Sequence, residues 1–420
     1  MRGGGGRSPL RLVIVSWFVV GAFVGVAAAA DGDLDPTFGD AGTVTAVFPG
    51  GSYANDVAVQ PDGKIVAAGA AAGRSFTGVF AIARFLSDGS LDPSFSGDGM
   101  ATTRVRPGGG DEAHAVAVQP NGKVVVAGTD GRARFALARY LPTGALDPSF
   151  GGDGVVTTNL TPVEDIAYDV FLQPDGRIVA VGSAGGWNPE FALVRFRRNG
   201  SLDPTFGGDG KVLTHFGIWG VPRAAALQPD GKILAVGTSG RGFAIARYRP
   251  NGVLDATFGG DGKVGNTVEL GWAGAVAIQP DGRIVVGGDR DIFSSVVARY
   301  RPNGRLDATF GDDGVWIEDV GASEEAVAEL ALQPSGRILV VGHVGPHEGG
   351  EDVLWRFVVI RLLPDGSVDP TFGTEGTVIT GFAEGAFADG AAVQPDGGLV
   401  VAGGAGEANA EAFVLARYFV

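Results

Sequence analysis

Twelve side chains of this sequence have types suited to ligand binding, and most stand at a fixed distance from a recurring glutamine. Five residues before each glutamine lies an irregular mixture: Asn55, His114, Tyr168, Arg223, Gly274, Ala328 and Asp389. The next position adds the carboxylates Asp56, Asp169 and Glu329. Such groups could hold a polar ligand, or supply an acid and a base to one bond. No motif links them into a catalytic set, so we predict no catalytic residue.

Four tryptophans complete the twelve candidates. They fall in or beside the variable segments of neighbouring repeats: Trp187, Trp219, Trp272 and Trp355. Indole rings exposed on one face would form a patch for a sugar or a protein, because the ring combines a flat apolar surface with a donor edge. The alternative interpretation is that these loops fold back and cover the gaps between repeats.

Metal and thiol chemistry finds little support. The chain has 420 residues, no cysteine and four histidines, which excludes cysteine nucleophiles and zinc thiolates. His343 and His347 are four apart, but a Gly- and Pro-containing loop gives that spacing no geometric meaning. The acids of the Gly-Gly-Asp-Gly turns lack the terminal Glu of a calcium loop and are interpreted as turn formers. We predict neither a metal site nor a cofactor.

The candidate side chains must be positioned by a repeated structural unit. Three sequence phrases each recur seven times after Asp31. A Leu-Asp-Pro-Thr-Phe-Gly phrase begins at Leu34, Leu91, Leu146, Leu202, Leu254, Leu306 and Val368. A Gln-Pro-Asp-Gly turn begins at Gln60, Gln119, Gln173, Gln228, Gln279, Gln333 and Gln394. A Phe-Ala-Leu-Ala-Arg-Tyr strand carries Arg84, Arg139, Arg195, Arg247, Arg299, Arg361 and Arg417.

Each repeat predicts four short strands, for example Val57–Val59, Ile65–Ala68, Phe80–Phe85 and, in the next repeat, Val155–Thr158. Four-stranded units of this length, stacked radially, make an all-β propeller, here with seven antiparallel blades. The chain opens with a lone fourth strand and closes with three. We therefore predict that 42–47 pairs with Ala412–Tyr418 and closes the ring, which an open solenoid would not need.

The repeated arginines and aspartates are interpreted as architecture. One Asp stands in each Leu-Asp-Pro phrase: Asp35, Asp92, Asp147, Asp203, Asp255, Asp307 and Asp369. We predict a bidentate Arg–Asp pair in every repeat, including Arg417 with Asp35 across the closure. Seven equal environments are typical of structure, so function is expected in the variable loops, which gather at one end of the ring.

The N-terminus predicts export. Arginines precede an uncharged run from Leu12 to Ala30, whose final alanines suit signal peptidase just before Asp31. We assign residues 1–30 to a signal peptide and 31–420 to one propeller domain, with no membrane span after cleavage; an uncleaved anchor is the alternative. The formal net charge of −15 makes nucleic acid a poor partner, since phosphates need a basic patch.

The paired Gln-Pro-Asp-Gly-Lys-Ile-Val and Leu-Asp-Pro-Thr-Phe-Gly phrases resemble the bacterial delta-60 repeat family of β-propellers, over about residues 34–420. The resemblance implies an exported or surface protein with no assigned reaction, and it offers no catalytic motif. A weaker similarity to NHL-repeat propellers implies that the first strand of each repeat lies innermost.

Together these observations predict a secreted or cell-surface bacterial protein that acts as a binding module through its variable-loop face. An extracellular protein or a polysaccharide is the expected partner. Two alternatives remain: a polysaccharide lyase or hydrolase with its site in the central funnel, and a purely structural surface protein.

Overall fold

The computed structural model describes residues 30–71, 78–217, 219–240, 242–269, 271–290, 294–318, 325–345, 354–406 and 412–420. These residues form seven four-stranded antiparallel sheets, which are the blades of a propeller. The predicted fold class is thus confirmed. Within the described residues, no helix is long and apolar enough to cross a membrane. Residues 1–29 of the predicted signal peptide lie outside the described part of the chain.

The blades are numbered 1 to 7 by the order of their first strands. The first strands are β2 (Ser52–Val59), β6 (Glu112–Val118), β10 (Asp165–Leu172), β14 (Gly220–Leu227), β18 (Gly271–Ile278), β22 (Glu325–Leu332) and β26 (Ala386–Val393). The second strands are β3 (Ile65–Ala71), β7 (Val124–Thr129), β11 (Ile178–Ala184), β15 (Ile233–Ser239), β19 (Ile284–Arg290), β23 (Ile338–Val344) and β27 (Leu399–Ala405).

The outer half of each blade follows in the chain. The third strands are β4 (Val79–Phe85), β8 (Phe135–Tyr140), β12 (Glu190–Phe196), β16 (Gly242–Tyr248), β20 (Ser294–Tyr300), β24 (Arg356–Leu362) and β28 (Ala412–Tyr418). The fourth strands are β5 (Met100–Thr103), β9 (Val155–Thr158), β13 (Lys211–Thr214), β17 (Lys263–Glu269), β21 (Val315–Glu318), β25 (Thr377–Gly381) and β1 (Thr43–Ala46). Each first strand contacts the first strands of both neighbouring blades, so these strands surround the central channel.

The two ends of the chain meet in blade 7. Strand β1 pairs antiparallel with β28, and Thr43 stands opposite Ala416. Leu34 adds a bridge to Tyr418 further along the same edge. The predicted pairing of 42–47 with Ala412–Tyr418 is therefore confirmed, and we call this junction the seam.

The hydrophobic core is divided among the gaps between blades. Each of seven buried clusters combines residues of two neighbouring blades. Second and third strands are buried on both faces, which explains their continuous apolar sequences. The phenylalanine of each Leu-Asp-Pro phrase is fully buried in one of these clusters: Phe38, Phe95, Phe150, Phe206, Phe258, Phe310 and Phe372.

The seven predicted Arg–Asp pairs form, but the bidentate geometry was wrong. In blade 1, Arg84 Nε donates to Asp92 at 2.8 Å, and its two terminal nitrogens donate to the Pro142 carbonyl and to Ser94 Oγ. The guanidinium also covers the Phe95 ring at 4.7 Å. One arginine therefore ties its own strand to the following turn and to the next blade, because Pro142 belongs to blade 2. Arg417 and Asp35 form the corresponding pair across the seam.

Candidate functional site

Every first strand contains a β-bulge near its beginning. The pairing register with the second strand shifts by one residue there, so the bulged residue has no partner and turns away from the sheet. The seven bulged residues are the seven predicted positions: Asn55, His114, Tyr168, Arg223, Gly274, Ala328 and Asp389.

A glycine in the second strand makes each bulge possible. A Cβ on Gly182 would lie 1.9 Å from the Ile166 carbonyl oxygen, and one on Gly69 would lie 2.0 Å from that of Tyr53. The same close approach occurs in all blades, at Gly69, Gly128, Gly182, Gly237, Gly288, Gly342 and Gly403. Sequence reasoning missed this device, although a glycine inside an apolar strand indicates a bulge or a close backbone approach.

The bulged residues converge on one cavity of about 480 Å³ at the mouth of the channel, on the face of the variable loops. We call it the funnel. Asp56, Asp169 and Glu329 also line it, so all eight predicted polar candidates are brought together. Its volume lies within the usual range of small-molecule sites.

Rings and a guanidinium from three blades form one wall. The His114 and Tyr168 rings have centroids 5.5 Å apart, and the Arg223 guanidinium lies 4.4 Å from the Tyr168 centroid. Burial and the charge of Arg223 lower the pKa of His114, while Glu112 opposes that change. Because successive bulges project from adjacent strands, these three side chains stack across the blade boundaries.

Two of the four predicted tryptophans stand at the rim of the funnel. Trp219 and Trp272 both line the cavity and remain partly exposed, at 39% and 46%. Trp219 has a left-handed backbone, with φ of 50°, and its backbone N–H donates to Asn188 Oδ1 at 3.1 Å. A non-glycine residue in this region is strained, and such strain is enriched at functional sites.

The other two tryptophans lie outside the funnel. Trp187 is fully exposed on the loop between β11 and β12 and does not line the cavity. Trp355 packs on Phe387, with ring centroids 4.2 Å apart, and against the His343 ring at 5.5 Å. It covers the junction of blades 6 and 7, as the alternative interpretation predicted for such loops.

The two aspartates at the floor of the funnel join neighbouring blades. Asp56 accepts hydrogen bonds from Val57 N–H and from Val116 N–H of the next blade, both at 2.7 Å. Asp169 does the same with Val170 and with Ala225 of the next blade, both at 2.6 Å. The two carboxylates therefore each satisfy backbone N–H groups of two adjacent first strands.

Small residues make room for these bridges. In the blade that follows each of these aspartates, the same position is alanine, so the acidic side chain can reach across: Ala115 after Asp56 and Ala224 after Asp169. The corresponding residue after Glu329 is Gly390. Glu329 Oε1 accepts from Leu330 N–H at 2.8 Å. Its Oε2 has no hydrogen-bond partner among the described residues, unlike the oxygens of the two aspartates.

Burial shifts all three carboxyl groups toward neutrality, and repulsion adds to the shift of Asp56 and Glu329. Burial raises the pKa of Asp56 to about 7, and the nearby charge of Asp169 adds to the rise. Burial raises the pKa of Asp169 to about 6, against the effect of its two backbone hydrogen bonds. Burial raises the pKa of Glu329 to about 8, and the charges of Asp56 and Asp169 add to it. The three groups thus share one proton-rich site.

Sequence reasoning missed the cavity residues of the second strands. Thr238, Asp289 and His343 line the funnel, and each directly follows the bulge-supporting glycine of its strand. His343 was assigned to a loop; it lies inside β23, bonds the Ala388 carbonyl through Nδ1 at 2.9 Å, and has a pKa lowered to about 4 by burial. These three residues could have been located from the sequence, because each one directly follows the bulge-supporting glycine of its second strand.

Metal ligation finds no geometric support where the chain is described. Within those ranges, no three His, Asp or Glu side chains are grouped so as to hold a metal ion. His347, the partner of His343 in the spacing argument, lies outside the described residues. The turn acids behave as expected, since Asp98 Oδ1 accepts the Met100 N–H at 2.9 Å and closes its own turn.

Six segments of the chain match the family model described as a domain of unknown function (DUF5122) β-propeller: residues 60–95, 119–150, 173–206, 228–258, 279–310 and 333–372. Each segment runs from the recurring glutamine of one blade to its Leu-Asp-Pro-Thr-Phe phrase. The chain is a β-propeller repeat protein. In this propeller, blades 1 to 6 each carry the matched unit once. No curated protein matches the chain.

Solved structures show distant likeness in fold. Sqt1 from Chaetomium thermophilum is 15% identical with a TM-score of 0.49, over 88% of this chain and 97% of that one. A protein of unknown function from Dyadobacter fermentans is 11% identical with a TM-score of 0.47, over 92% of this chain and all of that one.

Proposed function

We propose that this propeller is an exported binding module, and that its ligand contacts the funnel on the variable-loop face. The observation that carries the proposal is the convergence of seven bulges on one cavity. The three recurring phrases are nearly uniform, yet each bulge places a different residue at the funnel. Uniform positions maintain the scaffold, whereas unlike side chains brought together at one place are typical of a ligand site.

The proposed setting is the cell surface or the extracellular medium. The basic segment and apolar run before Asp31 support export, and the repeat phrases support membership of the delta-60 family. In that setting, a protein or a polysaccharide is the expected ligand. Trp219 and Trp272 at the rim suit either one, because an indole face packs on a sugar ring or on an apolar side chain.

A polysaccharide hydrolase or lyase is the second candidate. Glu329 favours it, since a carboxyl group with a pKa of about 8 is protonated at neutral pH and could act as a general acid. The aspartates argue against it, because both oxygens of Asp56 and of Asp169 are engaged by backbone N–H groups. We therefore place binding ahead of hydrolysis.

A thermal-shift and calorimetry screen tests the proposal. The secreted form of the protein is mixed with oligosaccharides, peptides and small metabolites, and a ligand at a hundredfold excess over its Kd should stabilise the fold by about 2.7 kcal/mol. Trp272→Ala should abolish the shift, while the matched variant Trp187→Ala, which removes an indole outside the funnel, should retain it. If both variants lose the ligand-induced thermal shift equally, the ligand site does not lie in the funnel.

A structural role predicts different behaviour. A purely structural surface protein would self-associate, and its oligomeric state would not respond to funnel substitutions. Sedimentation of the wild-type protein and of Trp272→Ala separates the two roles. Concentration-dependent assembly without any bound ligand would favour the structural alternative.

A further inference from the structure

We propose that the funnel selects a ligand carrying an ammonium-type organic cation, supplied by a lysine-rich peptide segment or by a free polyamine. The inference rests on the proposed function, because it names the ligand class of the same site. It follows from the charges, the rings and the dimensions of the cavity.

Most of the titratable side chains in the lining are acidic. Five carboxyl groups line the funnel against a single arginine, Arg223: Asp56, Asp169, Asp289, Glu329 and Asp389. The whole chain carries a formal charge of −15, so its field attracts cations to this opening as well. Once Asp56 and Glu329 ionise, above pH 7 to 8, an anionic ligand would meet repulsion at the floor.

The walls are aromatic, which suits an ammonium group. A cation over the face of Tyr or Trp is attracted by the ring quadrupole, and the attraction grows when water is excluded. Tyr168 already holds such a cation, since the Arg223 guanidinium lies 4.4 Å from its centroid inside the same cavity. Trp219 and Trp272 offer two further ring faces at the rim.

The floor gives the cation a partner. Glu329 has one carboxylate oxygen bonded to the Leu330 N–H and the other without a partner among the described residues. Asp56 and Asp169 lie close enough to raise its pKa by repulsion, after the larger effect of burial. An ammonium group bound among them removes that repulsion and restores the ionised forms, so binding should release protons.

The remaining titratable groups of the lining do not reverse the expected release of protons when a cation binds. Burial lowers the pKa of His343 to about 4 and also lowers that of His114, so both rings stay neutral near pH 7. Asp289 Oδ1 accepts the Val327 N–H at 2.7 Å and so stands in a bridge like those of the floor aspartates. Arg223 is the one fixed cation of the lining, and it lies at the wall rather than on the floor. Affinity for a cation is therefore expected to rise between pH 6 and pH 8.

The size of the cavity fits a side chain or a small amine. A volume of about 480 Å³ cannot admit a folded domain, but it accepts a peptide segment of one or two residues or a linear polyamine. Both sources present the same ammonium chemistry, so the experiment must distinguish them.

Isothermal titration calorimetry on the purified protein tests the inference. The probes are acetyl-Lys-Lys-Lys-amide, spermidine, the neutral peptide acetyl-Gln-Gln-Gln-amide and a neutral oligosaccharide such as cellotetraose. Each is measured at pH 6 and pH 8, in two buffers of different ionisation enthalpy, so that released protons are counted. We expect the cationic probes to bind about tenfold more tightly at pH 8, with proton release, because Glu329 and Asp56 ionise in this range. The stronger of the two cations identifies the source.

Two variants locate the binding. Glu329→Gln keeps the acceptor for Leu330 N–H and should weaken the cationic probes about tenfold while reducing proton release. Glu164→Gln removes an exposed acid outside the funnel and should change neither. Trp272→Ala is a second variant that leaves the carboxyl groups intact, and a single cooperative thermal transition shows that each variant folds.

The outcomes separate this inference from the proposed function. Absence of cation binding at millimolar concentration overturns the inference. If cellotetraose or the neutral peptide binds instead and Trp272→Ala abolishes that binding, the proposed function stands without the inference. If cations bind but Glu329→Gln and Trp272→Ala leave their affinity unchanged, the funnel is not the site and both fall.

Discussion

The repeated arginine shows how one side chain can connect three structural units. Arg247 Nε lies 3.0 Å from an Asp255 carboxylate oxygen as an ion pair, Nη2 donates to Thr257 Oγ1 at 2.9 Å, and Nη1 donates to the Pro302 carbonyl of the next blade. Hydrogen bonds from Thr257 and the charge of Arg247 lower the pKa of Asp255 against the opposing effect of burial. A bidentate pair through both terminal nitrogens would have left the next blade without this contact.

Replacing this arginine should therefore weaken a blade interface. Arg247→Lys keeps the charge but loses the forked contacts, and it should lower the free energy of unfolding by about 2 kcal/mol. Urea unfolding measures the change. Arg305→Lys, at an exposed turn position, is the matched control and should stay within about 0.5 kcal/mol of wild type. Equal effects of the two substitutions would contradict the interface role.

The floor carboxyl groups predict an unusual dependence of stability on pH. Glu329 has a pKa of about 8 in the folded chain, against about 4.3 in an unfolded one. The folded state therefore holds a proton that the unfolded state has lost, and this contribution to stability disappears as the pH rises from about 4 to 8. The Asp–Arg pairs affect stability at acidic pH instead. Burial opposes ionisation of Asp307, but hydrogen bonds and the charge of Arg299 lower its pKa to about 2, so its contribution to stability is lost as the pH falls toward that value.

The Glu329→Gln substitution tests the loss of stability that we assign to ionisation of Glu329. The amide cannot ionise, so the variant should lose less Tm than wild type between pH 5 and pH 8.5, by about 2 °C or more. Differential scanning calorimetry at the two pH values measures this. Glu164→Gln should follow wild type, and parallel Tm changes in all three proteins would show that Glu329 does not carry the raised pKa.

The first and second strands of each blade act as one element at the site. The bulge exposes a side chain to the funnel, and the glycine opposite it accommodates the displaced carbonyl. Seven copies of this element occur because the repeats share one register. The bulge positions could be located from the sequence by their constant distance from the glutamine, but the glycine partner was overlooked among 72 glycines.

Adding one methyl group should straighten a bulge. A Cβ at Gly182 would lie 1.9 Å from the Ile166 carbonyl oxygen, so Gly182→Ala must displace the backbone and should cost about 2 kcal/mol or more. Thermal unfolding gives the value. Gly265→Ala is the matched control, since its nearest atom would be 3.9 Å away. A neutral Gly182→Ala variant would refute the role assigned to this glycine.

At the scale of the whole molecule, closure of the ring depends on a single strand from the other end of the chain. Strand β1 supplies the outer edge of blade 7, and Thr45 stands opposite Val414. Asp31 extends the closure, since its carboxylate pairs with Arg361 at 2.7 Å in the place where blades 1 to 5 use a backbone carbonyl. The N-terminal segment thus completes two neighbouring blades.

A disulfide across the seam tests this closure. The chain has no cysteine, so Thr45→Cys together with Val414→Cys creates one possible pair, and directly opposed strand residues lie within disulfide range. Oxidation should proceed in the native protein and raise Tm, because the bond restrains the unfolded chain. Non-reducing gel mobility reports the bond, and single-cysteine variants are the control. A pair that forms only after unfolding would argue against the seam.

The sequence by itself determined what the repeats share: seven blades, the Arg–Asp pairs, the closing strand, and the places where side chains enter the channel. These follow from spacing, because a unit that recurs seven times must satisfy the same local geometry each time. Only the tertiary structure decided which unlike side chains meet. It brought Asp289 and His343 into the funnel, left Trp187 in solvent and turned Trp355 onto a blade junction. Such placements depend on packing between blades and on loops that do not repeat, so no periodicity in the chain encodes them.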